Sequence, residues 1–220
     1  MNRYNVIASG STGNSVIYHK NIMVDCGVPF SRIKPFLYDI KIVLLTHIHG
    51  DHFNLSTIKR LAFERPSLRF GCCEWLSEHL EGVKNVDIYN IGSVYDYGLF
   101  KIIPVKLYHD VPNCGYRIIT NDYKIIHTTD TNHLNGISAP NYNLYALEHN
   151  YDENIVKDVI KEKELRGEYS YEKYAINAHL SEQQANDFYY KNKGENSEIL
   201  RLHETSLLKE LRKWEHQEKY

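Results

Sequence analysis

The stretch THIHGDHF, Thr46–Phe53, closes a continuous apolar run, IVLLT at 42–46, with three histidines and an aspartate. A run of that kind reads as a strand covered on both faces. A loop at the C-terminal end of such a strand can hold side chains in a fixed cleft. His47 and His49 stand two apart, so an extended backbone points both to one side. Asp51 and His52 follow Gly50, where the chain can turn back on itself. The first pair can serve one metal and the second pair another, and imidazole with carboxylate suits zinc as well as manganese or iron. A histidine-rich surface loop is the plainer alternative, but four ligand-type side chains between positions 47 and 52 argue against it.

Two-metal sites draw further ligands from distant loops. Five residues stand at or near the ends of strand-like runs: His109 after VKLY, Asp130 in KIIHTTD, His149 in LYALEH, His179 in AINAHLS and His203 in EILRLH. Each alone reads as a surface or core residue. Their recurrence at strand ends is what marks them as a set.

The rest of the chain supplies a frame for such a site. Strands are expected at 4–8, 15–19, 22–25, 42–46, 100–105, 115–120, 123–128, 144–149 and 198–203, with TNDY at 120–123 as a hairpin turn. Helices are expected at 54–65, 74–80, 151–164, 181–191 and 205–219, the first carrying Leu55, Ile58, Leu61 and Ala62 at helical spacing. Strands followed by helices, twice over, suggest two sheets flanked by helices within one domain, 1–220. SGSTGN at 9–14 lacks the lysine of a phosphate-binding loop and reads as a turn. LLKELRKWEHQEK, with Leu207, Leu208, Leu211 and Trp214, reads as a core-packing helix, with a homodimer contact as the alternative.

Composition narrows the function. A formal net charge of −2 is unlike the basic surface of a dedicated duplex binder. The four cysteines, Cys26, Cys72, Cys73 and Cys114, form no C-x-x-C pair and suit a reducing compartment. The N-terminal residues show no apolar signal-type core, and no apolar stretch approaches the ~20 residues of a membrane span. A soluble cytoplasmic protein is expected.

THIHGDH matches the T-H-x-H-x-D-H signature of the metallo-β-lactamase-fold hydrolases. ASGSTGNSVIY with VDCG resembles the opening of the WalJ/YycJ-like branch, which is akin to the RNase Z-like phosphodiesterases. YHDVPNCGYRI, HTTDT, LEHNYDENIV, AHLSEQQA and LRLHE then follow in that branch's order. The chain also broadly resembles phage anti-defence cyclic-nucleotide phosphodiesterases of the same fold.

The resemblance implies an α/β fold, the αβ/βα four-layer sandwich of metallo-β-lactamase type, and two divalent metal ions, zinc or alternatively manganese. It implies that His47, His49 and His109 hold one metal, that Asp51, His52 and His203 hold the other, and that Asp130 bridges them. On the RNase Z-like pattern Glu148 and His179 form a proton-donating pair, and Asp51 also counts with the catalytic residues. On the pattern of simpler metallo-β-lactamases, His179 takes the place of His203 as the last ligand.

The implied function is two-metal hydrolysis of a phosphodiester, because an alkoxide leaving group needs the proton that a Glu148–His179 pair supplies. The implied substrate is a nucleotide or a short single-stranded nucleic acid. The chain has no room for a large nucleic-acid-clamping insert and offers little counterion-release affinity, which favours a cyclic mononucleotide. A WalJ-like single-strand exonuclease, a thioester or lactone hydrolase, and a non-catalytic metal-stabilised binding protein are the alternatives.

Overall fold

In the computed structural model, residues 3–205 and Leu208 are described. The expected helix at 205–219, with its core or dimer role, lies outside the described residues apart from Thr205 and Leu208. The chain divides into two compact units, Met1–Ser93 and Val94–Tyr220.

The first unit is built on a six-stranded sheet: β1 (Tyr4–Ala8), β2 (Ser15–Tyr18), β3 (Ile22–Val24), β4 (Ile42–Leu44), β5 (Arg69–Cys73) and β6 (Val86–Tyr89), neighbours in that order. β1 to β3 run antiparallel, and β3 to β6 run parallel. β4 is buried at every residue, as its unbroken apolar run requires. Helices α1 (Phe30–Ile33), α2 (Leu55–Glu64) and α3 (Glu74–Ser77) complete the unit. Asn54 caps α2 by accepting from the Thr57 amide at 3.0 Å, and Ile58 and Leu61 are buried with Met23, Val43 and Phe70.

The second unit holds β7 (Tyr95–Asp96), β8 (Lys101–Tyr108), β9 (Pro112–Ile119), β10 (Lys124–Thr128), β11 (Leu144–Glu148) and β12 (Glu198–Leu202), in the order β12-β11-β10-β9-β8-β7. β10, β11 and β12 are parallel, and β9 is antiparallel to both β8 and β10, so β8 shares their direction. The TNDY turn joins β9 and β10 through the Thr120 amide and the Tyr123 carbonyl at 2.8 Å. Helices α4 (Glu153–Leu165), α5 (Glu172–Ala178) and α6 (Glu182–Asn192) follow β11. α6 opens with a reciprocal Ser181–Gln184 capping box and buries Ala185 and Phe188 against Tyr145 and Leu147. No helix among the described residues is long and apolar enough to cross a membrane.

α1, β5, β6, β7 and α5 are not among the elements expected from the sequence. β5 has the weak strand sequence RFGCC; its Gly71 is required because a Cβ there would overlap the Tyr89 ring of β6. The expected helix at 74–80 is α3 followed by a tight 3-10 turn, Glu78–Leu80.

Candidate metal centre

Strand ends place the ligand-type residues. In the first unit, parallel β3 and β4 end on one sheet edge, followed by Asp25 and by the His47–His52 loop. The His47 and His52 rings lie 4.2 Å apart between centroids, and His47 and His49 lie 4.9 Å apart nearly at right angles. His52 Nε2 is 3.5 Å from Asp51 Oδ2. The four residues of the loop are thus gathered.

Second partners set the ring orientations. His52 Nδ1 donates to Asp25 Oδ2 at 2.6 Å. The Thr46 hydroxyl donates to Asp25 Oδ1 at 2.8 Å, so its oxygen is the acceptor for His47 Nδ1 at 3.0 Å. In both rings the proton sits on Nδ1 and Nε2 carries the lone pair, the tautomer a metal needs. The SGSTGN turn closes as expected, Gly13 N donating to Gly10 O at 2.9 Å, and it also reaches the cluster. Its buried Asn14 amide lies 2.8 Å from His52 Nε2 and 3.1 Å from Asp51 Oδ2. Gly27 packs so closely beneath the loop that a Cβ would overlap the Asp51 carbonyl.

In the second unit β8, β10, β11 and β12 all end on one edge. His109 follows β8, Asp130 lies two residues beyond β10, Glu148 ends β11, and His203 follows β12. His179 arrives differently, as the C-cap of α5. Ligand atoms of Asp130, Glu148, His179 and His203 all lie within 4.8 Å of one another, and all four residues are buried. His109 Nδ1 donates to the Ala178 carbonyl at 2.9 Å, and its Nε2 is 4.0 Å from Asp130 Oδ1. His203 Nε2 is 3.5 Å from Asp130 Oδ1, and its Nδ1 is 3.1 Å from the Asn150 amide.

Glu148 is anchored through both of its oxygens. One oxygen takes His179 Nδ1 at 2.6 Å, and the other accepts from the Thr131 and Leu180 amides at 3.0 and 3.2 Å. Burial opposes charge on both partners, yet their mutual attraction wins: the Glu148 carboxyl sits below its ordinary range and His179 above. Burial holds the His109 imidazole below the ordinary histidine range, against the pull of Asp130. His149 instead donates to the Leu147 carbonyl at 3.0 Å, a structural bond.

Asp25, Asp130 and His203 all carry left-handed backbone, φ 61°, 57° and 52°. Strain of this kind gathers where side chains must be aimed. The donor sets, imidazoles aimed by outer partners with carboxylates beside them, fit divalent metal ions.

The profile of the beta-lactamase superfamily domain matches residues 20–142, more than half of the chain. The chain belongs to the beta-lactamase superfamily. It is 26% identical over 176 residues to the exodeoxyribonuclease WalJ of Streptococcus pneumoniae serotype 2 (strain D39), which covers 70% of this chain and 65% of WalJ. The chain therefore spans just under two thirds of that relative. Among solved structures it is similar to the metallo-β-lactamase fold protein YhfI of Bacillus subtilis, with TM-score 0.71, 18% identity, and 96% and 89% of the two chains covered. It is also similar to the short form of human tRNase Z (ELAC1), with TM-score 0.63, 13% identity, and 94% and 93% covered. The likenesses in structure establish the metallo-β-lactamase fold, and the similarity to WalJ supports the resemblance to its branch.

Within this superfamily chain, every residue singled out as a ligand or as part of the proton-donating pair lies at one of the two clusters. His47, His49, Asp51 and His52 are in the first unit; His109, Asp130, Glu148, His179 and His203 are in the second. Asp25, Thr46, Asn14, Gly27 and Asn150 support the clusters without being marked as functional by the sequence. Only Asp25 left a signal, an acidic residue directly behind a buried apolar strand.

Proposed function

We propose that the protein is a two-metal phosphodiesterase acting on a nucleotide or a short single-stranded nucleic acid, with the whole chain, 1–220, serving as one functional domain. The observation that carries this reading is the buried Glu148–His179 contact of 2.6 Å beside Asp130 and His203. A thioester releases a thiolate that leaves without help, whereas a phosphodiester releases an alkoxide that needs a proton. The similarity to an exodeoxyribonuclease and the likeness in fold to a tRNase support the same substrate class.

His47, His49 and His109 would hold one cation, Asp51, His52 and His203 the other, with Asp130 shared. Bound there, the cations would lower the pKa of a water and neutralise charge on the phosphoryl oxygens. The imidazole-rich donor set favours zinc, with manganese as the alternative. The protein's own share is orientation and proton transfer. Asp25 and Thr46 aim His52 and His47, and the Ala178 carbonyl aims His109. Glu148, fixed by two backbone amides, favours the charged form of His179 and holds the ring in place to give a proton to the leaving oxygen. The four cysteines are buried thiols, which supports a cytoplasmic setting.

The test is metal analysis of the purified protein, followed by assays on bis(p-nitrophenyl) phosphate, cyclic mononucleotides and single-stranded DNA and RNA. The expected result is two metals per chain and turnover that Asp51→Ala abolishes. Fewer than two metals, with no turnover under any divalent ion, would sink the reading.

A further inference from the structure

Helix α5 buries only small residues, Ala175 and Ala178, and turns its aromatic ring outward. Tyr174 is 38% exposed, and Tyr171, just before the helix, is 54% exposed. Their rings lie 5.7 Å apart at 42°, and the Tyr174 ring lies 6.5 Å from that of His179, which ends the same helix. The three rings thus form a continuous series leading away from the proposed proton donor. Tyr174 does not swing freely. Its hydroxyl donates to Asp110 Oδ2 at 2.5 Å, and Asp110 Oδ1 is 3.1 Å from His109 Nε2. An aromatic face held in place by its hydroxyl is pre-organised for a flat partner.

We propose that Tyr174, with Tyr171 beyond it, is the stacking platform for the nucleobase on the leaving side of the scissile phosphate. The proposal rests on the phosphodiesterase reading, in which His179 protonates the leaving oxygen. The nucleoside bearing that oxygen must then lie beside His179, and Tyr174 is the exposed ring at that place. Stacking accepts any base, because every base has a π-face. Tyr174 and Tyr171 together expose less surface than one whole tyrosine, on the order of 200 Å². That suits a base or two and falls well short of the roughly 800 Å² per partner that a stable protein interface buries.

The test compares a thymidine dinucleotide with its analogue abasic on the leaving side, for wild type, Tyr174→Ala and Tyr174→Phe. Tyr174→Ala is expected to lose about tenfold in kcat/KM on the intact dinucleotide beyond its loss on the abasic one. The excess should appear in KM, since stacking acts before as well as during the chemical step. Tyr174→Phe keeps the ring but loses the bond to Asp110 that steadies it, and should show a much smaller excess than Tyr174→Ala. An equal factor on both substrates, or an excess in Tyr174→Phe as large as in Tyr174→Ala, overturns the proposal. If wild type cleaves no phosphodiester, the hydrolase reading has failed on its own. Binding of a fluorescent thymidine pentanucleotide to the metal-loaded protein then decides the platform. About tenfold weaker binding by Tyr174→Ala supports it, and equal binding, or none by wild type, overturns it.

Discussion

Asp25 Oδ2 accepts from His52 Nδ1 at 2.6 Å, with both side chains buried. The other oxygen of the same carboxylate holds the Thr46 hydroxyl, which in turn holds His47. One carboxylate therefore aims two imidazoles, and it does so from a left-handed backbone position, φ 61°, that costs energy to maintain. Such outer partners fix the tautomer and raise the basicity of the ligands they touch.

Asp25→Asn should therefore weaken metal binding although Asp25 is not among the proposed ligands. The expected loss is about 10–100-fold in affinity, read by competition with a chromogenic chelator, while circular dichroism stays native. Unchanged affinity would show that the imidazoles are held by something else.

Gly27 carries a second prediction. A methyl group there would overlap the Asp51 carbonyl carbon and oxygen and lie 2.7 Å from His52 N, all backbone atoms that cannot rotate aside. Gly27→Ala should cost about 1–3 kcal/mol, typical of overpacking, and should lower metal content as well. Calorimetric melting and metal analysis on one preparation check both. A variant with native melting and full metal content would contradict the packing.

The thiols should be silent in the native protein. All four cysteines are buried, and burial, with Cys73 and Asp87 nearby, pushes the Cys72 thiol up to about 12. Only the thiolate reacts, so at pH 8 its fraction there is negligible. Titration with a chromogenic disulfide should find no fast thiol before unfolding and four after it. A stoichiometric fast phase in the native protein would contradict this.

The part of the site legible in the sequence was the part written locally. His47 to His52 sit within six positions behind an apolar run, and the strand-end positions of His109, Asp130 and His203 followed from runs that fold as β8, β10 and β12. The Glu148–His179 pair spans 31 positions and came from family resemblance; no local spacing announces it. Gly27 was illegible for the same reason, and Asp25 left only the weak signal of an acidic residue behind an apolar strand. What makes each necessary is a loop about 25 residues later, and neither residue type is unusual after a strand. α5 escaped because its seven residues bury only two alanines, leaving no apolar stripe to read. The Tyr174 ring beside His179 escaped with it.

The role proposed for His179, held by Glu148, is to protonate a leaving alkoxide. It is tested most directly by kcat/KM of His179→Ala against wild type on two phosphodiesters, one with an alkoxide and one with a nitrophenolate leaving group. A loss of about 10²–10⁴-fold is expected on the first and a much smaller loss on the second, which leaves without a proton. Equal losses on both, or no loss on either, would contradict it.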